Sequence, residues 1–122
     1  MDAAVKEEVF QSLKKILEVY ALKLKVTIDK PESYSLDCYK EYKKGQPMFF
    51  GATRPGKNYV SFYLMPVYYQ PALLDNITPE LKKRMQGKSC FNFKKPEPAL
   101  FEELKQLTER SYEVFKKDGW IE

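Results

Sequence analysis

Between residues 33 and 94 apolar side chains return at every second position in four separate stretches, and this periodicity limits the possible folds more than any other feature. Leu36 and Cys38 alternate with Ser35, Asp37 and Tyr39. Val60, Phe62 and Leu64 alternate with Tyr59, Ser61, Tyr63 and Met65. Ser89, Phe91 and Phe93 oppose Lys88, Cys90, Asn92 and Lys94, and Met48 to Thr53 forms the remaining stretch. A repeat of two is that of a strand with one buried face. Arg54-Pro55-Gly56-Lys57-Asn58 supplies a turn, because proline fixes φ and glycine tolerates positive φ, so a β-hairpin is expected there.

The flanking segments repeat differently. Val5, Val9, Leu13, Ile16, Leu17, Tyr20 and Leu24 recur at three and four, which predicts an amphipathic helix from Val5 to Leu24. A second long helix is expected from Pro98 to Asp118, with Leu100, Phe101, Leu104, Leu107, Tyr112, Val114 and Phe115 on one face. Gly119 suits the left-handed position after it, and Trp120 is placed to pack back on Phe115. Thr78-Pro79-Glu80 reads as the start of a shorter helix ending near Gly87. Strands that do not alternate with helices as βαβ units predict an α+β fold. The expected form is a two-layer sandwich, a mainly antiparallel sheet of four or five strands against N- and C-terminal helices. At 122 residues, with 43% apolar content and no linker or repeat, the chain reads as one complete domain, 1–122.

Several chemistries fall away at this level. No apolar run approaches the roughly 20 residues of a membrane helix, and the mixed charges of the first fifteen residues do not resemble a signal peptide. Cytoplasmic residence is the expectation, in which Cys38 and Cys90 stay thiols. With no histidine, Ser-His-Asp, Cys-His and HExxH mechanisms are excluded. Gly87-Lys88-Ser89 imitates the end of a phosphate-binding loop, but Lys82 stands where the first glycine belongs.

Charge is unevenly distributed. Residues 31–95 carry 11 basic and 5 acidic side chains, and residues 96–122 carry 4 and 7. This hints at an anionic partner for the middle of the chain. The cluster Lys82, Lys83, Arg84 and Lys88 is also what a helix C-terminus favours electrostatically, and no nucleic-acid reader motif accompanies it. Glu102, Glu109 and Glu113 share a face of the last helix, but lysines four residues away make that face charge-balanced.

The run Asn58-Tyr-Val-Ser-Phe-Tyr-Leu-Met-Pro-Val-Tyr68, the segment Pro79 to Lys94, and the closing Gly119-Trp120 together resemble the YdhG-like family of small bacterial domains of unknown function. The resemblance implies an α/β sandwich, and one branch has been called a frataxin-like iron chaperone, which makes iron a possible cargo. Such a chaperone would want a carboxylate ridge on its first helix and strand. Here Glu7, Glu8 and Glu18 alternate with lysines.

If Leu36, Val60, Phe62, Leu64, Phe91 and Phe93 face the helices, then Tyr39, Ser61, Tyr63, Cys90 and Asn92 project from the opposite sheet face together with Asp37 and Tyr59. These five are the candidate site. A face so mixed in polar and aromatic character suits a small-molecule ligand or a second copy of the chain. The expected function is a non-catalytic binding or interaction module, with an iron chaperone as the alternative. No catalytic or metal-ligating set is identified.

Overall fold

The structure, a computed structural model, describes residues 1–122. Its element order is α1 Ala3–Glu18, β1 Lys25–Lys30, β2 Ser33–Lys43, β3 Gln46–Pro55, β4 Val60–Leu64, α2 Met65–Tyr69, a 3-10 turn Pro71–Leu74, α3 Pro79–Lys82, β5 Cys90–Phe93 and α4 Pro98–Lys117. The five strands form one antiparallel meander in the order β1-β2-β3-β4-β5. The expected α+β sandwich is what forms: a five-stranded sheet with the N- and C-terminal helices packed on one face.

The alternating residues account for the layering. Leu36, Val60, Phe62, Leu64, Phe91 and Phe93 are all fully buried, and they meet Val9, Phe10, Leu13 and Leu17 of α1 and Leu104, Leu107 and Phe115 of α4 in a single core. Burying that many Leu and Phe side chains, at about 1.5–3 kcal/mol each, is the main term that holds the layers together. Gly51 lets α1 come close. A Cβ there would meet the Tyr63 carbonyl oxygen at 2.9 Å and Leu17 Cδ2 at 3.2 Å.

Four elements differ from expectation. The first helix ends at Glu18 rather than Leu24, and residues 19–24 continue as turns that still bury Leu24. The next residues form β1, whose six side chains are all exposed, so no alternation marks it. It is held by pairing with β2 and by the Lys14–Asp29 ion pair at 3.1 Å. The third helix is one turn long, because residues 84–86 bond to the sheet instead: Gln86 N–H donates to the Cys90 carbonyl at 2.9 Å, and Asn92 N–H to that of Arg84 at 2.7 Å. Strand β4 stops at Leu64, where Met65 and Pro66 open α2.

The two sheet edges differ accordingly. Beyond β5 the backbone is covered by residues 84–86, with a bridge between Met85 and Phe91. Beyond β1 the edge is open, and the bulge between Val26 and Ile28 together with the flanking Lys25 and Lys30 discourages another strand from pairing with it.

Candidate binding face

The sheet face away from α1 and α4 is built from the odd-numbered residues of β4 and the even-numbered residues of β5. Register puts Ser61 opposite Asn92 and Tyr63 opposite Cys90, with Arg54 and Ala52 of β3 next to Ser61 and Tyr63. Ser35 of β2 pairs with Ala52, which completes a row Ser35, Ala52, Tyr63, Cys90 across four strands. Ser35, Ala52 and Ser61 are small and buried between larger neighbours, whereas Tyr63, Cys90 and Asn92 are half-buried. Arg54 stands over the Tyr63 ring, its guanidinium carbon 6.0 Å from the centroid.

A directed chain of hydrogen bonds links these side chains. Ser61 Oγ donates to Asn92 Oδ1 at 2.7 Å, and Cys90 Sγ approaches the same oxygen at 3.5 Å. Asn92 Nδ2 donates in turn to Gln86 Oε1 at 2.6 Å. Beneath them Thr53 Oγ1 donates to the Ser61 carbonyl at 2.9 Å, inside the core. Asn92 is thereby fixed by the strand it sits on, by the neighbouring strand and by the edge segment.

Burial pushes the Cys90 thiol above the ordinary value, and the nearby polar groups of Ser61 and Tyr63 and the Phe62 backbone offset this only in part. Cys38 lies in the core, where burial first and the nearby Asp37 charge second push it up to about 12. Both cysteines are free. Asp37, also on the outer face, is raised by desolvation and partly restored by Lys25.

Of the five site residues expected from alternation, Ser61, Tyr63, Cys90 and Asn92 come together on β4 and β5. Tyr39 does not join them. Between Asp37 and Glu41 strand β2 advances four residues while β3 advances two, from Phe49 to Pro47, so simple alternation is lost there. Tyr39 is 69% exposed and lines a separate cleft with Leu22, Lys40 and Trp120 at the ends of the two long helices.

Sequence reasoning missed Gln86 and Arg54 as members of the face. Gln86 belongs to a loop whose position depends on pairing with β5, and no local pattern announces that. Arg54 falls at the end of β3, in a segment read as turn. Tyr59 was legible, since it shares the parity of Ser61 and Tyr63.

At the β4–β5 corner the face continues into a cleft of about 640 Å³ lined by Tyr59, Lys83, Arg84, Gln86, Asn92, Lys94, Lys95 and Glu97, with Met85. Arg84 is committed to Glu97 by a bidentate ion pair, Nε to Oε2 at 2.8 Å and Nη2 to Oε1 at 2.5 Å. The pair holds the Glu97 carboxyl below the usual carboxylate range, chiefly through the hydrogen bond. Elsewhere no three His, Cys, Asp or Glu side chains approach closely enough to hold a metal ion, and Glu102, Glu109 and Glu113 of α4 form no such group.

Comparison with protein-family models, with curated proteins and with solved structures finds no significant match to this chain.

Proposed function

We propose that this domain is a non-catalytic binding module that takes a small organic ligand on the β4–β5 part of its outer sheet face. The observation that carries the reading is the fixed chain Ser61, Asn92, Gln86, flanked by the half-buried Tyr63 and Cys90, on a face that neither long helix covers. Preformed polar groups beside an aromatic ring are the usual ingredients of a ligand site, because their geometry is set before the ligand arrives. A raised thiol and the lack of any adjacent base argue against covalent chemistry at Cys90. The likeness to YdhG-like domains rests on the sequence segments alone and assigns no ligand.

Tyr63→Ala tests the reading. The ring is only half-buried, so the melting temperature should change little, where truncating a packed core aromatic costs about 3–5 kcal/mol. Ligands that raise the melting temperature of the wild-type protein in a metabolite screen should cease to do so in the variant. A second copy as the occupant would show instead as a concentration-dependent dimer by sedimentation, lost in Tyr63→Ala. A wild-type protein that is monomeric and stabilised by nothing in the screen would leave this face merely solvated and end the proposal.

A further inference from the structure

The cleft at the β4–β5 corner presents hydrogen-bond donors and an excess of positive charge, and this sets the chemical class of its ligand. Ion pairing in the molecule is confined to Lys14–Asp29 and Arg84–Glu97. Lys83, Lys94 and Lys95 therefore line the cleft without a direct ion pair, while the single acid there, Glu97, is paired with Arg84 and also feels the Lys95 charge. Cations that outnumber acids along one concavity give it a positive potential that attracts an anion.

The polar network points the same way. Asn92 receives the Ser61 proton on its oxygen and spends an N–H on Gln86 Oε1, so the outward end of the chain is the Gln86 NH2 group, a donor. Tyr59, half-buried, forms an aromatic wall of the same cleft. A volume of about 640 Å³ lies within the range of sites for small organic molecules. Cations, a donor and an aromatic ring lining one cleft match a small molecule that carries both phosphate and a planar ring.

Building on the outer-face reading, we infer that Lys83, Lys94, Lys95, Gln86 and Tyr59 form a binding site for a small phosphorylated molecule with an aromatic ring, in the class of a nucleoside diphosphate. The phosphates would sit among the ammonium groups and the ring against Tyr59. The basic middle of the sequence thereby finds its anionic partner at one cleft, assembled from residues that lie up to 36 positions apart.

The test is a titration of the ¹⁵N-labelled protein with ADP, with adenosine and with inorganic pyrophosphate, followed by amide shifts. ADP should move Gln86, Asn92, Lys94 and Lys95 in a saturable way, pyrophosphate should move the same lysines more weakly, and adenosine should do little. The Lys94→Gln, Lys95→Gln double variant should weaken ADP by roughly tenfold or more, since each charge contact contributes about fivefold even in a high dielectric. Its melting temperature should not move, because both side chains are exposed. Added salt should weaken the wild-type interaction by screening. Equal binding of adenosine and ADP would overturn the anionic assignment while leaving the outer-face ligand reading in place. Shifts scattered over all surface lysines without saturation, or none from either phosphate, would overturn the site itself. The Tyr63→Ala result decides the broader reading separately.

Discussion

Glu97 is the only acidic side chain in a neighbourhood of cations, and what it does there is structural. Its carboxylate is largely buried against Arg84, joining the start of α4 to the segment that covers the β5 edge. Replacing it by Gln keeps the shape and removes the charge, so Glu97→Gln should destabilise the domain by about 1 kcal/mol at neutral pH. The sign with pH follows from the direction of the shift. The folded carboxyl titrates below its unfolded value, so its contribution is complete above the ordinary carboxylate range and is lost as pH falls through the lowered folded value. Denaturation curves of wild type and variant should therefore differ at pH 7 and converge on acidification. A difference that persisted unchanged at the acid end would mean that the ion pair is not its source.

Two glycines show how single positions govern whole elements, for opposite reasons. Gly119 has φ of 88° and closes α4: its N–H donates to the Lys116 carbonyl at 3.2 Å and that of Trp120 to Phe115 at 2.9 Å, with the Trp120 and Phe115 rings 6.2 Å apart. This is the Schellman arrangement that the sequence forecast. A Cβ at 119 meets only Lys40 Nζ at 3.9 Å, so Gly119→Ala should cost roughly 1 kcal/mol, all of it backbone conformation. At Gly51 space is the constraint. A methyl group would press on the Tyr63 carbonyl of β4, which the sheet cannot shift, and on Leu17 of α1, so Gly51→Ala should cost about 1–3 kcal/mol by crowding both. Chemical denaturation of the two variants measures both. A Gly51→Ala protein as stable as wild type would show that α1 has room to move on the sheet.

On the scale of the whole molecule, one core of 24 buried residues is drawn from every strand but β1 and from both long helices, so these elements are expected to unfold together. Cys38 reports on this, being fully buried with its thiol held protonated. Its modification should proceed at the rate of global unfolding, slower than that of Cys90, and two thiols should titrate once the chain is denatured. Equal rates for both in the native protein would mean that the core opens locally. The sequence by itself determined the layers. Period-two and 3.6-period patterns report which side of an element is apolar, and burial must follow, so the inward faces of β2, β4 and β5, the face of α4 and its glycine cap were all legible. The same alternation identified Ser61, Tyr63, Cys90 and Asn92 as outward. Only the tertiary structure decided the rest. Strand β1 has no buried face and so no pattern; Tyr39 left the site because β2 slips its register against β3. Gln86, Lys83, Lys94 and Lys95 meet at one cleft because residues 84–86 turn from helix to sheet edge. Local periodicity records the solvent exposure of one element at a time, whereas a cleft is made by several elements meeting, and their meeting is fixed by long-range pairing and packing.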